Sequence, residues 1–283
     1  MCSLGAAFRL VPSDKRGVWG IWWQGNKLGD TIPYPENPTE QTLWLLASGP
    51  SVNELDLSQL SGRTVMAVNG AIKLCQTAEI KPDYFVSTDP DFFEHRMDLV
   101  RAAVESGAHC YFSANGISRI CHQAPDILTD SRISLIETVN RYFGIPQLDR
   151  AELFRQTLAD DNIILPDARQ HKVGWSHQPT KGVFASNTVT YSACQIASSL
   201  GFSRVNILGM DLSADASGAI RAYEQGQNAR PSNLDESYES SILPAFQLLA
   251  SLPLTTTFRN LSPHSRLPHD VMPKTDFRSA LAE

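Results

Sequence analysis

The chain has 283 residues, 42% hydrophobic and 19% charged, with 30 acidic against 24 basic side chains and a formal charge of −6. That is enough length to bury a core as one large domain or two modest ones, and the balance excludes a broad, sequence-blind grip on nucleic acid, which needs clustered Lys and Arg. No stretch approaches the roughly 20 apolar residues of a spanning helix, and the opening residues 1–8 lack the charged and long apolar regions of a signal peptide, so neither an integral membrane protein nor a Sec-secreted one is expected.

The first 40 residues read as a β-rich extension. It carries three of the five tryptophans, Trp19, Trp22 and Trp23. They suit a hairpin packed on the core, or a surface for a sugar face or a membrane interface. The five cysteines (Cys2, Cys75, Cys110, Cys121 and Cys194) are widely spaced and form no Cys-x-x-Cys pair, so they read as reduced thiols of a cytoplasmic protein. The histidines form no His-Glu-x-x-His, and catalytic zinc is not expected.

From residue 41 to 283, short apolar runs alternate with helix-compatible stretches, the pattern of parallel strands joined by crossover helices. Strands are expected at Leu43–Ala47, Thr64–Val68, Asp83–Ser87, His109–Ser113, Ile133–Ile136, Arg204–Leu208 and Thr255–Phe258, and helices at Asp91–Ser106, Asn187–Leu200 and Asp235–Ser251. The fold class is therefore α/β, a doubly wound, mainly parallel sheet. In such sheets ligands bind at the carboxyl ends of the strands, and here those ends are polar: Ser48-Gly49-Pro50-Ser51, Asn69-Gly70, Ser87-Thr88-Asp89-Pro90-Asp91, Asn115-Gly116 and Gly209-Met210-Asp211. Five such exits predict one shared cleft.

Gly49 lets a ligand approach the backbone, and Ser51 with Glu54 fits a capping box that opens a helix. This is neither Gly-x-Gly-x-x-Gly nor a Walker loop. Asp89-Pro90-Asp91 spells the Asp-x-Asp of metal-dependent glycosyltransferases, but it also suits an Asp cap on a helix through Phe92-Phe93-Glu94. Ser186 or Asn187 is expected to cap the helix of small residues that follows, leaving free amides near Thr188 for a phosphate.

Ser-Gly-Pro-Ser, Val68-Asn69-Gly70, Asp89-Pro90, the small-residue helix leading through Leu200–Leu208 to Gly209-Met210-Asp211, and the late Asn260-Leu261-Ser262-Pro263-His264-Ser265 occur in one order. Together they resemble the bacterial sialyltransferase-like glycosyltransferases that use CMP-activated sugars. Related surface-glycan enzymes transfer Kdo, a sialic-acid-like keto sugar, into lipopolysaccharide. The resemblance covers roughly residues 43–265. It implies a Rossmann-like domain with a lid at about 212–236, binding a CMP-sugar without metal or cofactor and transferring the sugar, with inversion, to a bacterial glycan or glycolipid such as the lipopolysaccharide core. Gly49, Ser51 and Asn69 would contact the nucleotide and Ser186, Asn187 and Thr188 would form the capped helix start. The exit residues Ser48, Pro50, Asn115, Gly209 and Asp211 complete the nucleotide-binding set. A peripheral contact with the inner membrane is a further expected partner; nucleic acid is not.

Inverting transfer from a CMP-sugar passes through an oxocarbenium-like transition state, in which the leaving phosphate must be stabilised and the acceptor hydroxyl deprotonated. Arg221, Tyr223 and Arg230 in the polar insert 218–232 suit the first task. For the second, the resemblance implies a histidine in the lid, yet residues 212–258 contain none. Glu224, Asp235, Glu236, Asp89 and His264 are the candidates, and His264 is favoured because a free imidazole titrates near pH 6.5. Two rival readings stay open: a metal-dependent pyrophosphokinase of the pterin-pathway type, and a non-catalytic nucleotide-binding scaffold in glycan assembly.

Overall fold

The computed structural model describes residues 2–4, 7–35, 41–167, 172–215, 218–223 and 234–283. Strands β1 (Cys2–Leu4), β2 (Phe8–Pro12), β3 (Trp19–Trp23) and β4 (Asn26–Asp30) form a small antiparallel sheet. Alternation sets its two faces. Phe8, Leu10 and Ile21 are buried in the main core with Trp19 and Trp23 packed beside them. Arg9, Trp22 and Lys27 pair across the strands and form the other face.

The main sheet has β5 (Thr42–Leu46), β6 (Val65–Val68), β7 (Tyr84–Ser87), β8 (His109–Phe112) and β9 (Ile133–Leu135) running outward in sequence. After the short pair β10 (Ile163–Ile164) and β11 (Trp175–Ser176), the chain returns to the other side of β5 with β12 (Arg204–Leu208) and β13 (Thr257–Asn260). The order is β13-β12-β5-β6-β7-β8-β9 and every pairing is parallel. The direction of winding reverses between β5 and β12, which is the topological switch point where such sheets bind ligands.

Burial on both faces explains the near-continuous apolar strands. Trp44 and Leu46 enter one core cluster and Leu43 and Leu45 the other. The crossover helices include α1 (Ala71–Thr77), α2 (Pro90–His95), α3 (Met97–Glu105), α4 (Ala114–Gln123) and, beyond β9, α5 (Arg150–Thr157). α6 (Val189–Ser199) leads into β12; α7 (Leu234–Ser237), a π turn at Tyr238–Ile242 and α8 (Leu243–Ser251) lead into β13; α9 (Phe277–Leu281) packs last, its Phe277 ring against Trp44. Among the described residues no helix is long and apolar enough to cross a membrane.

Three predicted helices are redrawn. The Asp91–Ser106 helix is broken at Arg96 (φ −129°, ψ 46°), so α2 and α3 are separate. The Asn187–Leu200 helix starts at Val189, because Ser186 and Asn187 sit at φ +45° and +58°, outside the helical region. The Asp235–Ser251 helix keeps its extent but widens to a π turn before Pro244, which has no N–H to give the carbonyl of Ser240. The last strand lies two residues later than expected, at Thr257–Asn260.

Candidate active site

A cavity of about 790 Å³ opens at the carboxyl ends of β12, β5, β6 and β7. Its floor is the switch point. The amide of Gly49 donates to Gly209 O at 2.8 Å, joining the exits of β5 and β12. A Cβ on Gly49 would overlap Asp211 Oδ2 and the Gly209 carbonyl, and one on Gly209 would lie 2.6 Å from Ala47 O, so this approach needs glycine on both sides. Asp211 Oδ2 accepts the Ser51 amide at 2.9 Å. From behind, Ser262 Oγ accepts the Met210 amide at 3.0 Å and the Ser51 hydroxyl at 3.1 Å, while Ser265 Oγ donates to Met210 O at 2.6 Å.

Three non-glycine residues of the lining hold left-handed backbones: Asn69 (φ +44°), Asn187 (φ +58°) and Leu212 (φ +58°). Such conformations are costly and gather where the surrounding structure fixes a functional geometry. Asn69 Oδ1 and Asp211 Oδ1 are buried with no hydrogen-bond partner among the described residues. Thr188, Val189 and Thr190 line the cavity at the start of α6, where Thr188 occupies the cap position without a side-chain cap bond. The first amides of an 11-residue helix therefore lie at the cavity without a capping side chain, an environment that favours anions.

Opposite, Ile220, Arg221 and Tyr223 lie over the floor, and the Ala222 amide donates to Ser48 O at 2.7 Å. The Tyr223 ring fills the space that a Cβ on Gly70 would take, and the Arg96 guanidinium carbon is 5.3 Å from that ring's centroid, within cation–π range.

Four of the five predicted strand exits meet here. Ser48, Gly49, Asn69, Asp89, Asn187, Thr188, Gly209, Asp211, Arg221 and Tyr223 all line the cavity. Asn115 does not: it is exposed in the first turn of α4, after β8, three strands away from β5. Pro50 and Ser51 sit behind Gly49, outside the lining. Instead of a capping box they open a 3₁₀ turn, Pro50–Glu54, with Gly49 at its cap and no side-chain cap bond. Ser186 is buried beneath the α6 start and donates to Lys172 O at 2.8 Å, and Asn187 donates to Ser237 and Ser241, so neither caps the helix.

Asp89 does cap α2, its Oδ1 accepting the Asp91 amide at 2.9 Å. His264 is exposed beyond the end of β13 and outside the lining, because its loop buttresses the Gly-Met-Asp segment from behind. Asp235 is exposed and paired with Arg266 at 2.8 Å. Glu224 and Arg230 lie outside the described residues.

Sequence reasoning missed His95 and Arg96, which both line the cavity at the end of α2. The signal available was Phe92-Phe93 followed by Glu94-His95-Arg96, two apolar anchors and then a polar run directly after a strand exit.

Residues 33–277 match the model of a family described as 3-deoxy-D-manno-octulosonic acid transferase WaaZ. A relative named probable 3-deoxy-manno-octulosonic acid transferase from Escherichia coli (strain K12) is 24% identical over 251 residues, covering 88% of this chain and 87% of its own. One of the same name from Salmonella typhimurium (strain LT2) is 21% identical over 246 residues, covering 86% and 90%. Among solved structures, the MAf glycosyltransferase from Magnetospirillum magneticum AMB-1 aligns with a TM-score of 0.51 at 12% identity over 87% of this chain, a likeness of fold alone. This chain spans only 35% of that longer protein.

Proposed function

The chain belongs to the WaaZ family of 3-deoxy-D-manno-octulosonic acid (Kdo) transferases, and from that premise we propose that it moves a Kdo-type keto sugar from a CMP-activated donor to a lipopolysaccharide-core acceptor. The observation that carries the donor reading is the cavity floor. Two glycines meet at the switch point beside Asn69, and the uncapped start of α6 faces the same space. Gly49 and Gly209, closed on each other, would give the nucleotide a backbone floor, and Asn69 Oδ1 and Asp211 Oδ1 would accept its N–H or O–H groups. The amides at Thr188–Thr190 would hold the phosphate, and Arg221 with Tyr223 would stabilise it as it departs. Residues 218–223, seated on Ser48 and Gly70, would form the described part of the lid over the bound donor; residues 216–217 and 224–233 of the expected lid lie outside the described residues.

The family match favours sugar transfer over a pyrophosphokinase. For the acceptor, the outer face of the N-terminal sheet supports a peripheral membrane contact. Trp22 lies between Arg9 and Lys27, and residues 1–35 hold four cations against two carboxylates in a chain of net charge −6. The test is incubation with CMP-Kdo and a lipopolysaccharide-core acceptor in EDTA, reading product by mass spectrometry. A mass increase of one Kdo residue with release of CMP is expected; no transfer from CMP-Kdo contradicts the reading.

A further inference from the structure

Transfer to a hydroxyl needs a group to take its proton. Residues 212–258 contain no histidine, and His264 stands outside the cavity. Among the described residues a single histidine lines the cavity, His95, the last residue of α2. Its ring is exposed while the helix beneath it is fixed. Asp89 caps the first turn, and Phe92 and Phe93 are buried, with the Phe93 ring 5.1 Å from Phe112. A Cβ on Gly116 of α4 would lie 2.5 Å from the Phe93 ring, so the helix also seats tightly on its neighbour. The next residue, Arg96, ends α2 and lies over Tyr223. A rigid backbone therefore presents a solvent-connected imidazole beside the segment that covers the cavity.

On the donor reading above, we propose that His95 is the general base of the transfer. As the acceptor oxygen bonds to the donor's anomeric carbon, a ring nitrogen of His95 takes the hydroxyl proton. The bond from that carbon to the phosphate oxygen breaks, and CMP leaves with the electron pair. The imidazolium then returns its proton to water through the open mouth. Charged groups on its own helix are Asp89, Asp91 and Glu94, with Arg96 just beyond; Glu94 is paired to Arg119 of α4 at 2.9 Å. Asp98 of α3 is paired to Arg96 at 3.2 Å, and Asp211 and Arg221 line the other walls of the cavity.

The experiment compares the parent chain, H95Q and H95A by calorimetry with CMP and by kcat/KM across about pH 5 to 9. H95Q is expected to bind CMP as the parent does, to lose about 10²–10⁴-fold in kcat/KM, and to lose the acid-side fall in rate; H95A is expected to regain part of its activity with added imidazole. An H95Q chain that keeps the parental kcat/KM, or the same acid limb, overturns the assignment. A parent chain that fails to bind CMP overturns the donor reading and the assignment with it.

Discussion

Asp211 Oδ2 accepts the Ser51 amide at 2.9 Å, tying the exit of β12 to the turn after β5 across 160 residues of sequence. Removing a charged acceptor from a buried amide costs about 1–3 kcal/mol. D211A is therefore expected to unfold at lower temperature than the parent and to bind nucleotide weakly, whereas D211N, which keeps an oxygen for Ser51, retains most of the stability. Thermal unfolding of both variants checks this. A D211A chain as stable as the parent contradicts it.

The ring of Tyr223 fills the space beside Gly70 that a methyl group would need. G70A is expected to push that ring away and loosen the segment over the cavity, lowering transfer by about 10-fold, which is about 1.4 kcal/mol of transition-state binding. Because one contact carries both effects, Y223A should add little in the G70A background. Additive losses in the double variant would show that the two residues act separately.

His109 is 2% exposed and stacked on Tyr111, with its Nε2 2.7 Å from Ser134 Oγ. Burial, with Arg132 adding to it, lowers its pKa to about 4. The unfolded chain binds a proton near pH 6.5 that the folded chain refuses until about pH 4, so stability falls as pH drops through that window. Half-buried Glu137, raised to about 7 by desolvation, opposes this by gaining its proton more readily when folded. The informative quantity is thus the difference between H109Q and the parent. H109Q keeps an N–H for Ser134 and is expected to gain in melting temperature over the parent as pH falls from about 6.5 to 4. A difference that does not change with pH contradicts the account.

Trp22 is the one tryptophan of the three on the outer face of the N-terminal sheet, with Arg9 and Lys27 beside it. Co-sedimentation with phosphatidylglycerol vesicles is expected, little with phosphatidylcholine, and a W22A/K27E variant should lose most of it; each cation near an anionic surface contributes about 1 kcal/mol. Equal binding to both lipids, or none, contradicts a charge-assisted contact.

The sheet was legible because both its faces are buried. Strands such as Val65–Val68 read as unbroken apolar runs, and their polar exits marked the cleft. Local pattern did not reveal the break at Arg96, a good helix former, and so hid His95 inside a supposed 16-residue helix. Nor did it show which side of the sheet His264 faces, since that depends on how its loop packs behind Met210. Asn115 followed a strand with the right chemistry, but β8 lies too far from the point where the winding reverses. The short α1, with no side-chain cap at its start, left no boundary signal at all.

Isothermal titration of CMP into the parent chain and N69A, both in EDTA, reads metal-free nucleotide binding at the cavity floor. Asn69 holds a left-handed backbone at the cavity and buries a carbonyl without a partner among the described residues. CMP is expected to bind the parent without metal, and N69A to lose about 10-fold or more in affinity, the equivalent of one hydrogen bond of about 1.4 kcal/mol, and to melt somewhat below the parent because alanine tolerates the left-handed backbone less well than asparagine. No binding of CMP, or binding that N69A leaves unchanged, would contradict this account.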